Sequence, residues 1–183
     1  MNERIFLLEL LDDYKSENGS EELSRTVMVD FVKMNERCFE NDFKLGHVTG
    51  SALIVDNDKK NVLLTHHAKL NMWVQFGGHS DGHWNPLEVA RREAYEESGL
   101  TTLAYFPEDD SIFDLDIHTI PERNDMPEHN HFDVRILLSA DIHEDFIVSD
   151  ESHDLKWIPI DHAEEYNSDL AFLRMVGKIS NLN

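Results

Sequence analysis

Basic residues are scarce in this chain of 183 residues: 16 lysines and arginines stand against 37 aspartates and glutamates, a formal net charge of -21. That balance excludes a sequence-independent grip on nucleic acid or on an anionic membrane, both of which need an excess of lysine and arginine. Cysteine is scarcer still. Cys38 is the one residue of its type, so no internal disulfide can form and a reducing compartment suits the chain. Prolines number 5 and glycines 8, with no low-complexity tract, which speaks for an ordered globular protein. Long hydrophobic runs are missing too. The N-terminal stretch RIFLLELL is too short to span a bilayer, is interrupted by Glu9 and runs into Asp12 and Asp13. An amphipathic docking helix is the expectation for it, and a cytoplasmic location for the protein.

What is present has two regimes of periodicity. Residues 1–45 carry apolar residues at helical spacing, in IFLLELLDDY and again in LSRTVMVDFVKMNERCF, with SENGS as the break. These residues read as an N-terminal helical extension, and 46–183 as the main domain. From His47 the pattern turns to short β-rich runs. HVTGSALIVD and NVLLTHH are joined by the polar turn NDKKN, a hairpin signal, and WVQF leads into Gly77 and Gly78. Further strands are expected in TTLAYF, SIFDLDIHTI, FDVRILLSA and LKWIPI, and a last helix in DLAFLRMVGKISNL. Strands with helices before, between and after them predict an α/β protein, a mixed sheet packed between helices.

The segment GGHSDGHWNPLEVARREAYEESGL concentrates the chemistry. Asn85 is placed to cap a helix, Pro86 suits its first turn, Glu88 has capping-box spacing, and Gly99 suits a left-handed stop. Leu87, Ala90 and Ala94 form an apolar stripe whose small residues allow close approach to a sheet. Glu93, Glu96 and Glu97 fall on an adjoining face. Like charges four apart destabilise an isolated helix, so either this face is simply solvated or a cation belongs there. Hard cations such as magnesium take oxygen ligands and share their shell with water and substrate phosphates. An acidic protein that handles an acidic substrate needs such an ion between the two.

The spacing of these residues resembles the Nudix box, a glycine, five residues, a glutamate, seven residues, then R-E-U-x-E-E-x-G-U with U aliphatic. Gly78, Arg92, Glu93, Ala94, Glu96, Glu97, Gly99 and Leu100 fall in register. Within that family HHAKLNMWVQFGGHSDG and HNHFDVRILLSA are similar to a bacterial GGHxDG-type subgroup. The resemblance implies a Nudix-like α/β/α sandwich from about His47 to Ile160. It also implies a hydrolase of a nucleoside diphosphate linked to another group, or of a related organic pyrophosphate, using Mg2+ or Mn2+. In that reading Glu93 and Glu97 are the main metal ligands, Glu96 a further ligand or a holder of metal-bound water, and Gly77 a backbone-carbonyl ligand. Arg92 holds the glutamates by charged hydrogen bonds. The first glutamate of the box falls on Trp84, which removes a residue that in the family supports the arginine and the outer metal shell. Glu88, four residues before Arg92, is placed to substitute for it in part.

Histidines cluster around the same segment. His79, Asp81 and His83 alternate through the loop after the glycine pair; His129, His131 and Asp133 alternate at a strand start, so these last three share a face. A functional reading gathers His79 with His129 or His131 near the substrate phosphates or a second metal; the alternative is that they occupy exposed loops. Glu151, in VSDESHDLKW, is the candidate general base, since family members often supply one from a loop beyond the box. Cys38 is expected on the N-terminal helix as a packing residue. Two other functions remain open: a catalytically silent nucleotide- or ligand-binding Nudix domain, and an enzyme resembling isopentenyl diphosphate isomerase. The latter has a cysteine–glycine–histidine loop, and Gly77 here occupies the cysteine's place. The expected partner is a small diphosphate, with no nucleic-acid polymer and no membrane; a homodimer is left open.

Overall fold

The N-terminal periodicity resolves into two helices, α1 (Glu3–Asp13) and α2 (Gly19–Met34), in a computed structural model that describes residues 3–16, 18–41, 45–106, 110–123 and 126–182. Residues 1, 2, 17 and 42–44 of the expected helical region lie outside the described residues. Asn18 makes the break between the helices: its side chain accepts from the backbone N–H of Ser20 and Glu21, capping α2. Cys38 falls in the turn after α2 rather than on a helix. That turn is held by the Cys38 carbonyl, which accepts from the Val48 N–H at 2.7 Å.

The strands are β1 (His47–Asp56), β2 (Asn61–His67), β3 (Met72–Val74), β4 (Phe76–His79), β5 (Ala104–Tyr105), β6 (Asp114–Ile120), β7 (His129–Ala140) and β8 (Ser152–Pro159). They form a mixed sheet with the path β3-β2-β1-β7-β5, while β4 pairs with β1, β6 with β7 and β8 with β2. Between β4 and β5 lies α3 (Pro86–Ser98), and α4 (Ala163–Tyr166) and α5 (Leu170–Ile179) close the chain. WVQF is split at Gln75, so Gly77 and Gly78 sit inside a strand rather than in a loop after one. The short α4 had no expectation in the sequence. Among the described residues no helix is long and apolar enough to cross a membrane.

The fold gathers into two units interleaved along the chain, and β1, β4, β7 and α3 contribute residues to both. The first comprises Met1–Ser51, Gly77–Ala90 and Ser111–Ile136. Its helical layer is α1 and α2, with α2 against β6. Phe31 of α2 stacks on Phe132 of β7, ring centroids 3.7 Å apart, and Leu7, Leu11, Met28 and Val32 are fully buried with them. α2 therefore buries its apolar face on the strands, and α1 packs on α2. Arg4 ties α1 to α2 by donating to the carbonyls of Val32 and Lys33.

The second unit comprises Ala52–Phe76, Arg91–Asp110 and Leu137–Asn183. Here β1 and β2 form the expected hairpin, Ile54 opposite Leu63. Asp56 closes its turn, accepting through Oδ1 from the N–H of Lys60 and Asn61 at 2.7 and 2.8 Å. β8 lies along the other edge of β2 in antiparallel register, Leu63 opposite Trp157. Leu63, Leu64, Leu155, Ile158, Phe172 and Met175 belong to the core of this unit.

Candidate active site and a histidine cluster

α3 is set by the residues that sequence reading picked out. Asn85 accepts from the N–H of Leu87 and Glu88 at 3.1 and 3.4 Å, and Gly99, at φ 68°, ends the helix. Its first turns lie against β1 at Gly50, where a Cβ would come within 2.3 Å of the Pro86 carbonyl oxygen. Only glycine admits so close an approach. Leu87, Ala90 and Ala94 are buried, so the apolar stripe faces inward as expected.

The acids lie outside that stripe. Glu93 has a side chain 19% exposed and accepts from Arg92 Nη2 at 2.7 Å. Glu97 is half-buried and Glu96 exposed. Three carboxylates at i, i+3 and i+4 of one helix are a donor set of hard oxygens, which fits a cation such as magnesium or manganese. The contacts of Glu88 differ from the expected chain through Arg92: Glu88 lies 3.3 Å from His83 Nε2, and Arg92 bonds its neighbour Glu93. Trp84 packs edge-on against Phe6 of α1, centroids 5.0 Å apart, with His83 parallel to it at 6.2 Å. Its ring is a seam between α1 and the start of α3.

Gly77 lies on β4 beside Gly50 and Ser51 of β1. Glu151 is exposed in the turn before β8, where its carbonyl accepts from the Ala68 N–H at 2.8 Å. Cys38 is fully buried, and burial pushes its thiol up to about 11, a packing residue's chemistry and not a nucleophile's.

The histidines converge in the first unit, on the sheet face turned away from α2. His47 of β1, His79 of β4 and His131 of β7 each offer a ring nitrogen, and these atoms lie within 4.8 Å of one another. His129 and His118 flank them, with centroids 5.2 and 5.3 Å from that of His131. The strand pairing explains the convergence. His118 lies opposite His131, Asp116 opposite Asp133, and Asp114 opposite Arg135. On β1 the residues His47, Thr49 and Ser51 point to this same face, Thr49 and Ser51 donating to Asp133 at 3.0 and 2.7 Å.

Beside the histidines is a buried charge cluster. Arg135, with a side chain 5% exposed, reaches Asp133 at 2.8 Å, Asp116 at 3.1 Å and Asp114 at 3.4 Å. Burial alone would favour the neutral form of Asp133. The Arg135 guanidinium, the nearby His118 and hydrogen bonds from Arg135 and Ser51 overcome it and hold Asp133 below the usual carboxylate range. Burial, reinforced by the charges of His118, His47 and His79, takes His131 down to about 3, so it is neutral at pH 7. Sequence reading found His79, His129, His131 and Asp133 but missed His47, His118 and the Arg135 cluster. Alternating polar residues in HVTGS, DLDIH and HNHFDVR were the available signal.

A strand–loop–helix frame with a carboxylate-lined helix defines a class, the Nudix fold. A NUDIX domain family model matches residues 46–175. The chain belongs to that family and is a Nudix-type hydrolase. Solved structures of the same fold include an Ap4A hydrolase from C. elegans, a NUDIX family hydrolase from Clostridium perfringens and the dihydroneopterin triphosphate pyrophosphohydrolase of E. coli. The first is 18% identical, with a TM-score of 0.55 over 73% of this chain and 95% of the other. The second is 23% identical, with a TM-score of 0.54 over 75% and 98%. The third is 15% identical, with a TM-score of 0.56 over 74% and 96%. No curated protein matches the chain by sequence.

Proposed function

We propose that this protein is a magnesium- or manganese-dependent hydrolase of a nucleoside diphosphate linked to another group, or of a related organic pyrophosphate. The observation that carries the reading is the Nudix-box helix: Arg92, Glu93, Glu96 and Glu97 in register on α3, within the segment that matches the family. Glu93 and Glu97 are the proposed main ligands and Glu96 a further one or a holder of water. The bound ion supplies neutralisation of phosphate oxygens and acidification of a coordinated water.

The chain's own residues do the rest. Arg92 restrains Glu93 through a charged hydrogen bond, which keeps that carboxylate from swinging into solvent. Glu151 is the proposed general base, on an exposed turn where water has access. An excess of 21 negative charges repels a polyphosphate chain but admits a small diphosphate that meets a cation, which supports a free small molecule as the substrate. The substrates named for two of the solved structures of this fold, Ap4A and dihydroneopterin triphosphate, are both phosphoanhydrides and support that class. The test is a panel of dinucleotides, nucleotide sugars and nucleoside triphosphates, scored for phosphate or monophosphate release with and without magnesium. Release from at least one phosphoanhydride only in the presence of the metal is expected. No release from any of them, with or without magnesium, would contradict the reading.

A further inference from the structure

We propose a second metal site, independent of the acids of α3: His47, His79 and His131 bind one borderline divalent transition-metal ion of the zinc class. The ligands come from the start of β1, the end of β4 and the N-terminal part of β7, so pairing within the first unit brings them together. A tetrahedral ion with metal–nitrogen bonds of about 2.0–2.1 Å holds its donors about 3.3 Å apart. The three nitrogens already lie within 4.8 Å of one another. Small rotations of the rings close that gap without moving the strands.

Three further observations point to a cation. His131 Nε2 is buried and, among the described residues, has no hydrogen-bond partner. A buried polar atom in that state costs free energy, and a metal bond relieves it. The flanking rings are held by hydrogen bonds. His129 Nδ1 lies 2.8 Å from the Pro127 carbonyl and His118 Nδ1 lies 3.1 Å from Asp116, contacts that orient both rings beside the three ligands. The adjoining cluster sets three carboxylates against one guanidinium, two negative charges in excess. A dication beside it offsets that excess. Neutral imidazole selects zinc, cobalt, nickel or copper, whereas magnesium takes oxygen. The two sites are therefore chemically orthogonal. Three protein ligands leave a fourth position for water or for an anionic oxygen.

The test uses the full chain, stripped with chelator and titrated with cobalt(II) in a large excess of magnesium, so that the acids of α3 are saturated. Wild type is expected to bind one equivalent, with the visible ligand-field absorption of tetrahedral cobalt, and zinc is expected to displace it and raise Tm. Glu97→Gln should bind cobalt as wild type does, whatever becomes of hydrolysis, so this result and the failure of the hydrolase reading are distinguishable. His47→Ala and His131→Ala should each lose at least about 100-fold in affinity, the scale on which ligand-sphere changes act. Wild type alone decides the matter if those variants fold poorly. Absence of stoichiometric, magnesium-resistant cobalt binding overturns the proposal. So does an unchanged affinity in folded His131→Ala.

Discussion

Replacing Arg135 by methionine removes the one guanidinium from a cluster of three carboxylates while keeping much of the side chain's bulk. Asp114 and Asp133 are almost wholly buried and Asp116 is largely so. Breaking a buried ion pair by deleting one partner costs about 3–5 kcal/mol, because an uncompensated charge is left behind. The penalty depends on pH, and its sign follows from the shifts. In the wild type the pKa of Asp133 lies below its unfolded value, so its contribution to stability is present above the unfolded pKa and is lost as pH falls through the folded one. In the variant the Arg135 contribution is gone and burial is opposed only by His118 and the hydrogen bonds from Thr49 and Ser51, so the folded pKa moves upward and stability is lost as pH rises. The gap between the two proteins is therefore widest at neutral pH and narrows toward pH 4. Urea unfolding at pH 7.5, 6 and 4.5 measures it, with m-values checking that the transition stays two-state. A loss under about 1 kcal/mol at pH 7.5, or one independent of pH, refutes the account of this cluster as a mutually dependent buried set.

Deleting residues 1–40 strips α2 from β6 and leaves Phe132 exposed, so the remainder should melt lower or self-associate. Each 1 kcal/mol lost lowers Tm by roughly 2–4 °C in a protein this size, and an unchanged melting temperature and solution mass would argue that the helices are dispensable. Glu88→Ala should leave magnesium-dependent turnover within about twofold, since an exposed pair contributes about 0–1 kcal/mol and Glu88 faces His83. Trp84→Glu should cost about 0.5–1.5 kcal/mol of stability through the lost contact with Phe6. A stabilised Trp84→Glu protein in chemical denaturation would show that the seam is not packing.

The strands and α3 were legible because their signals are local. A cap at Asn85, glycine at 99 and apolar residues at helical spacing give α3 the same boundaries in the sequence and in the fold. Asn18 could be read as part of a break, though not as a cap. The break at Gln75 and the short α4 were illegible, since pairing with neighbouring strands and tertiary packing decide them. Roles within the histidine face were only half legible. His129, His131 and Asp133 show alternation within one strand, but His47 joins them only through pairing between elements far apart in sequence. Two of the three carboxylates around Arg135 could not be found from spacing, because Asp114 and Asp116 stand on β6, across the sheet register, while Asp133 is two residues away on β7 itself. Exchange of Glu88 from Arg92 to His83 was hidden for a related reason: helical spacing offers Arg92, while His83 stands in the segment before α3 and reaches Glu88 only through the path of the chain there.

The most direct test of the central claim is the turnover of Glu97→Gln against wild type, on whichever phosphoanhydride the substrate panel identifies, at saturating magnesium. The variant keeps the size of the side chain and removes its charge. It is predicted to fold as wild type does and to lose at least about 100-fold in kcat, about 2.7 kcal/mol of transition-state stabilisation. Turnover of folded Glu97→Gln within a few-fold of wild type, still dependent on magnesium, would contradict the assignment of α3 as the catalytic helix.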